Sequence, residues 1–241
     1  MSRQTATSCV LAALAALLPV GGVVSVTAAP GHAASVSTRK AAFATAPVPP
    51  SLKALESSAE DIVDFALSRD RGAVAAEAVR LKAAANGPAA AALSRFGTPS
   101  GKVVQLQRRA SRVAQLARSG SFIDIALAAN AVSQVMPALY GRFGDRVPAA
   151  VLALDYLDRE AQLRSLARQP EKVSAAVRKL GPTWTRLRAK VIAAGGARQA
   201  RAYSEHVAAM KRLAPSAQKK VQAEAVHGLE LVDELERVFA H

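Results

Sequence analysis

Four side chains in the last hundred residues are of types that bind metal ions in helical proteins: Asp155, His206, Glu224 and His227. Glu224 and His227 have the Glu-x-x-His spacing of helical bundles that hold two metal ions between carboxylates. Such bundles carry this pair twice, whereas this chain has one copy. The pattern therefore predicts, at most, a single-ion site of two histidines and one or two carboxylates, which are ligands that suit zinc or iron.

The same side chains have a second interpretation that needs no ion, and we prefer it because buried polar groups usually satisfy one another. In this interpretation His206 hydrogen-bonds to Glu224, and Asp155 pairs with Arg159 one turn along its own helix. The indole N–H of Trp184 then needs an acceptor as well. A network of this kind fixes the register of packed helices without any ligand.

Both interpretations require the last part of the chain to fold back on itself three times. The apolar periodicity and the Gly and Pro positions predict four helices with short connections, over 148–168, 170–194, 197–213 and 217–239. Short connections place neighbouring helices antiparallel. Folding the chain at each connection then sets His206 opposite Glu224 and Trp184 opposite Asp155, near one level of the bundle.

The preceding residues are also helical in their periodicity, so the sequence predicts an all-α fold. Predicted helices cover 51–69, 70–86, 101–118 and 121–140, and a short Ala-rich segment at 89–95 leads into a loop. Asp70 is a predicted N-cap, Ser121 and Asp124 resemble a capping box, and Pro137 is expected to kink the last of these helices. We expect one antiparallel helical-bundle domain over 51–241, with a four-helix unit at 148–239 and the N-terminal helices packed on it.

Signatures of the common catalytic and phosphate-binding sites do not occur in this sequence. There is no nucleophile elbow, no Gly-rich phosphate loop and no His-Glu-x-x-His run. Aromatic residues make up 4% of the chain, too few for a base-stacking platform, and no nucleic-acid-binding module is recognisable. We therefore expect neither enzymatic activity nor a nucleic-acid partner, and no cofactor other than the zinc or iron considered above.

The N-terminus has the pattern of a cleavable export signal. Arg3 precedes an apolar run from Cys9 to Val26, which is followed by small residues and a plausible cleavage site after Ala28 or, preferably, Ala33. An uncleaved membrane anchor is the alternative, but Pro19 and two glycines interrupt the run. We expect a signal peptide at 1–33, a flexible Pro-rich tether at 34–50, no transmembrane span after cleavage, and a periplasmic or secreted protein.

The chain is strongly basic, with 32 lysines and arginines against 18 acidic residues and a net charge of +14. Such a surface attracts anionic partners, and in the envelope these are lipid headgroups, polyanionic glycans or another protein. The alternative is that arginines are simply scattered over solvated helix faces. The sequence thus favours a non-enzymatic binding or interaction protein of the cell envelope, with a metal- or cofactor-binding bundle as the second possibility.

Overall fold

A computed structural model describes residues 46–214 and 218–240 of the 241-residue chain. Within these ranges the chain forms ten helical segments and no strand, which confirms the predicted all-α helical bundle. The segments are α1 (Pro50–Leu67), α2 (Arg71–Asn86), α3 (Pro88–Arg95), α4 (Ser100–Ser119), α5 (Phe122–Ser133), α6 (Met136–Tyr140), α7 (Ala149–Leu166), α8 (Pro170–Ala193), α9 (Ala197–Leu213) and α10 (Gln218–Ala240).

Local sequence signals account for several helix ends. The side chain of Asp70 accepts a hydrogen bond from the backbone N–H of Ala73 at 2.9 Å, so the predicted N-cap of α2 is confirmed. Ser121 caps α5 by accepting from the N–H of Asp124 at 3.2 Å, and its hydroxyl donates to the Asp124 carboxylate at 2.6 Å. These caps satisfy backbone N–H groups that have no partner within their own helix.

The predicted single helix over 121–140 is divided in two. It ends at Ser133, and α6 begins at Met136 with Pro137 in its first turn. Proline lacks an N–H, and its ring collides with the carbonyl four residues earlier, so a continuous helix would be disrupted at this point. Pro182 lies inside α8, but that helix continues through it as expected, from Pro170 to Ala193.

Helices α1, α2, α4 and α5 form a first four-helix bundle. In it α1 and α4 each pack against both α2 and α5. The five apolar residues that follow heptad spacing on α4 are all buried, namely Val103, Leu106, Ala110, Val113 and Ala117. The N-terminal helices therefore build a hydrophobic core of their own instead of only covering the C-terminal unit.

Helices α7 to α10 form the second four-helix bundle, as the sequence predicted. Each packs against its neighbour along the chain, and α10 closes the ring by packing against α7. Their buried faces form a second hydrophobic cluster, separate from the first. The turn centred on Pro215 lies outside the described residues.

Helix α7 joins the two bundles, because it also packs against α5 and α6. Its Leu163 belongs to the first hydrophobic cluster, whereas most of its other buried apolar side chains belong to the second. Polar contacts complete the junction. The amide of Asn130 on α5 donates to Glu160 on α7 at 2.9 Å, and Arg159 on α7 contacts Glu60 on α1 at 3.3 Å.

The predicted signal peptide at 1–33 and most of the predicted tether lie outside the described residues. The end of the tether, residues 46–50, lies against the first bundle. The carbonyl of Ala46 accepts a hydrogen bond from the N–H of Gly144 at 2.8 Å, Val48 is buried, and Pro50 begins α1.

One stretch of the described residues, Phe122–Tyr140, has the length and mean hydropathy (1.4) of a membrane-spanning helix. Half of it is buried against other helices, and it is divided between α5 and α6. Core helices meet the same criteria, and the burial of α5 in the first bundle accounts for its apolar composition.

Candidate functional site

A histidine held between two carboxylates lies at the centre of the second bundle. His206 on α9 directs Nδ1 to Oε1 of Glu224 on α10 at 2.8 Å and Nε2 to Oδ1 of Asp158 on α7 at 2.9 Å. The side chains of His206 and Asp158 have no exposed surface, and that of Glu224 is 23% exposed. The predicted pairing of His206 with Glu224 is confirmed, and the three residues link three helices.

Aromatic side chains extend this network. The hydroxyl of Tyr203, one turn before His206, donates to the second oxygen of Asp158 at 2.6 Å. The Trp184 indole packs 4.8 Å from the Tyr203 ring and donates its N–H to Ser204 at 2.9 Å. The acceptor expected for the indole is therefore present, and α8 is connected to the same level of the bundle.

Gly228 on α10 has no side chain, and the cluster occupies the space that a side chain at this position would fill. A Cβ atom at Gly228 would lie 2.6 Å from Nε2 of His206 and 2.7 Å from Cγ of Asp158. Distances this short are well inside van der Waals contact, and the neighbours are the hydrogen-bonded atoms themselves. Gly228 thus allows α10 to approach α7 and α9 closely enough for both hydrogen bonds of His206 to form.

Replacing Gly228 with Ala is expected to lower the free energy of unfolding by about 1–3 kcal/mol, because it overpacks the site. Chemical denaturation followed by helical circular dichroism measures this difference. The matched control is Gly101→Ala in α4, where a Cβ atom meets nothing within 4 Å. Alanine is the better helix former, so the control should be neutral or stabilising. Equal effects of the two substitutions would contradict the steric role of Gly228.

Electrostatics favour retention of a proton within this cluster. Burial alone lowers the pKa of His206, but the hydrogen bonds and charges of Asp158 and Glu224 outweigh it and raise the pKa above its ordinary value. Burial also raises the pKa of Asp158, and the hydrogen bonds from His206 and Tyr203 offset part of that rise. Both directions keep a proton on the Asp158–His206 pair at a pH where a free imidazole would lose it.

The other two predicted ligands lie apart from this centre. Asp155 accepts from Arg159 at 3.1 Å, which is the pairing expected without an ion, and Arg159 also contacts Glu60 of α1. The His227 side chain is 55% exposed, its Nδ1 lies 3.5 Å from Glu230, and its ring centre is 6.4 Å from that of His206. The structure brings His206 and Glu224 together, and it does not add Asp155 or His227 to them.

An ion at His206 would have to displace a carboxylate from one of its ring nitrogens, because both nitrogens are already hydrogen-bonded. Within 46–214 and 218–240, no group of three or more His, Cys, Asp or Glu side chains has an arrangement that could hold a metal ion. The zinc or iron site stays a prediction that this geometry does not favour. The two hydrogen bonds of His206 join α7, α9 and α10 and fix their positions relative to one another along the bundle axis.

Sequence reasoning missed Asp158, although a signal for it was present. Asp158 is four residues after Leu154 and three before Ala161, and all three are buried. It therefore occupies a core position in the helical periodicity of α7. Asp155 lies three residues earlier and therefore on nearly the same face of α7, so the periodicity admits either carboxylate as the inward one.

A second feature of the same bundle is the outer surface of α8 and α9. The two helices contain two carboxylates, those of Glu171 and Glu205. Their lysines and arginines are all exposed, namely Lys172, Arg178, Lys179, Arg186, Arg188, Lys190, Arg198, Arg201, Lys211 and Arg212. This surface therefore carries a large excess of positive charge.

Four of these cations, Lys172, Lys179, Arg186 and Lys190, lie along one side of α8 and form what we call the α8 stripe. Their spacings of seven, seven and four residues return to nearly the same helix face. The stripe is about 27 Å long at 1.5 Å per residue. No ion pair joins any of the four to a carboxylate in the described part of the chain. Their charges are therefore free to interact with an external partner.

Together these features define the class of protein as an all-helical one, built from two four-helix bundles with a buried Asp–His–Glu network and a basic outer surface. Comparison with known proteins adds no relative, because no family model, no curated protein and no solved structure matches the chain.

Proposed function

We propose that this chain is an exported, non-enzymatic binding protein of the cell envelope, and that its basic surface binds anionic envelope components. The export pattern of the N-terminus and the net charge of +14 support the proposal from the sequence. The placement of the charges in the fold supports it further.

Bases and acids are distributed unequally between surface and interior, and this observation carries the proposal. All described lysines and arginines except Arg109, Arg142, Arg159 and Arg164 are exposed. More than half of the acidic side chains are buried or half-buried, and those exposed are Asp61, Asp64, Asp70, Asp124, Glu171, Glu205, Glu230 and Asp233. The charge presented to a partner is thus more positive than the composition suggests, because acidic side chains are withdrawn from the surface more often than basic ones.

Anionic phospholipid headgroups are the partner that we select for the test. A basic surface gains about 1 kcal/mol for each lysine or arginine that lies close to an anionic leaflet. The α8 stripe provides four such cations on one side of one helix, and further cations of α9 lie nearby in the chain. Because the attraction is between exposed charges, salt should weaken it.

The measurement is cosedimentation of the protein with vesicles of phosphatidylglycerol and phosphatidylcholine, compared with phosphatidylcholine alone. We expect binding to the anionic vesicles at low salt and its loss at high salt. Removing the stripe with Lys172→Gln, Lys179→Gln, Arg186→Gln and Lys190→Gln should lower the affinity at least tenfold, since about 1 kcal/mol is lost per cation.

A matched control removes four exposed cations elsewhere, by Arg95→Gln, Lys102→Gln, Arg108→Gln and Arg112→Gln on α3 and α4. Both variants have the same net charge, so a larger loss in the stripe variant would support a specific surface. Equal losses would contradict the assignment to α8. Binding that is the same at low and high salt, or no binding of the unmodified protein, would contradict the proposed function.

A further inference from the structure

An open apolar groove runs between α2 and α4 of the first bundle, remote in the fold from the α8 stripe. Its volume is about 840 Å³, within the range of about 300–1,000 Å³ that is common for ligand sites. Its apolar lining includes the alanines Ala75, Ala83 and Ala114 and the side chain of Val79. Val79 is 67% exposed, more than any other large hydrophobic side chain among the described residues. The groove therefore leaves apolar surface in contact with water.

Three cations line this groove, and its lining contains no acidic side chain. Arg71 is held in place because it donates to the carbonyl of Gly120 at 2.9 Å and its guanidinium lies 4.3 Å from the centre of the Phe122 ring. Lys82 and Arg118 form no ion pair with any carboxylate of the described residues. The groove thus combines an apolar floor with uncompensated positive charge.

We infer that this groove binds a single-chain anionic amphiphile, with the alkyl chain along the floor and the anionic head on the cations. The charge of the lining selects an anionic ligand, and its apolar part selects a hydrocarbon. The α2 side of the groove extends from Arg71 to Asn86, about 22 Å along the helix axis, a length comparable with that of an extended long-chain fatty acid.

The floor also distinguishes an alkyl chain from a partner helix. A docked amphipathic helix inserts large anchoring side chains into pockets of a groove. The apolar part of the lining consists of alanines and one valine, so it forms a channel without pockets between large apolar side chains. Such a channel accommodates a thin, unbranched chain along its length.

A carboxylate head from a fatty acid and a phosphate head from a lysophospholipid share the chemistry that the cations recognise. Isothermal titration calorimetry with palmitate, with lysophosphatidylglycerol and with the zwitterionic lysophosphatidylcholine, each below its micelle concentration, separates these sources. We expect saturable binding of at least one anionic amphiphile, at least tenfold tighter than lysophosphatidylcholine. No saturable binding of either anionic probe is the result expected if the groove receives an acidic helix, and it would overturn the inference.

Substitutions in the groove locate the binding. Val79→Glu places a carboxylate on the apolar floor and should weaken binding of the anionic probe at least tenfold, whereas Val226→Glu, on α10 and 38% exposed, should leave it unchanged. The double variant Lys82→Gln and Arg118→Gln should reduce the preference over lysophosphatidylcholine severalfold. Val79 and Val226 are both exposed, so circular dichroism should show folded helices in each of these two variants. Binding by Val79→Glu that equals that of the unmodified protein would contradict the site.

This inference is independent of the proposed function, because different residues carry it. The variant that lacks the α8 stripe should bind palmitate as the unmodified protein does, even though it loses affinity for anionic vesicles. If the unmodified protein bound palmitate but not anionic vesicles, the groove would stand and the vesicle proposal would be rejected. If the unmodified protein bound anionic vesicles but not the anionic amphiphiles, only the groove would be rejected.

Discussion

Replacing Asp158 with Ala should lower the free energy of unfolding by about 3 to 5 kcal/mol, the range found when one partner of a buried ion pair is removed. Asp158 has no exposed side-chain surface and accepts from both His206 and Tyr203. Its removal leaves the His206 imidazole and the Tyr203 hydroxyl buried with one fewer partner each. Urea denaturation of both proteins, followed by helical circular dichroism, measures the difference.

Two further variants make this result specific. Asp158→Asn keeps an oxygen that can accept from Tyr203, so its loss should be smaller than that of Asp158→Ala. Asp233→Ala removes an exposed carboxylate from α10 and should change stability by no more than about 0.5 kcal/mol. If Asp158→Ala were as stable as Asp233→Ala, the network would not hold the three helices together as the geometry indicates.

Helix positions could be predicted here because their signals are local. Caps at Asp70 and Ser121, the Gly87-Pro88 break and heptad spacing on α4 each depend on a few neighbouring residues. The division at Gln134 was missed because Pro137 is compatible with either a kink or a break. In the structure the chain is divided, with one helix ending at Ser133 and the next beginning at Met136.

The arrangement of the site was harder to predict, because it depends on which neighbour each face of α7 meets. Folding the chain at the short connection between α9 and α10 correctly set His206 opposite Glu224, because a short antiparallel connection fixes that register. The same reasoning gave α7 a single inner face, whereas this helix packs against both bundles. Asp155 therefore lies near Glu60 of α1, while Asp158, three residues later, hydrogen-bonds to His206.

The same double packing of α7 concentrates carboxylates at the junction of the two bundles. Glu56 and Glu60 of α1, Asp155 of α7 and Glu236 of α10 lie close enough to influence one another, and Arg159 is the cation among them. Tyr140 donates a hydrogen bond to Glu56. The charge of Asp145 also raises the pKa of Glu236. Because neighbouring negative charges repel one another, each of these carboxyl groups is harder to ionise than it would be alone.

Stability should consequently fall as the pH rises through the neutral range. Burial, partly offset by the hydrogen bond from Tyr140, raises the pKa of Glu56 from 4.5 to about 7, and burial raises that of Asp155 from 3.8 to about 8. A group whose pKa is higher in the folded than in the unfolded state contributes fully to the stability of the folded protein below its unfolded pKa. This contribution to stability is lost as the pH rises through the folded-state pKa. For Glu56 it amounts to about 2 to 3 kcal/mol, lost between roughly pH 4.5 and pH 8.

The variant Glu56→Gln isolates this effect from the other groups with raised pKa values, such as Asp155, Glu236 and His206, which are present in both proteins. Glutamine stays neutral and still offers an oxygen to Tyr140. The variant should therefore match the unmodified protein near pH 4.5 and exceed its stability by about 2 kcal/mol at pH 8. Glu205→Gln, an exposed substitution on α9, should give a profile parallel to that of the unmodified protein. If Glu56→Gln gave the same parallel profile, burial of Glu56 at the junction would not control the pH dependence.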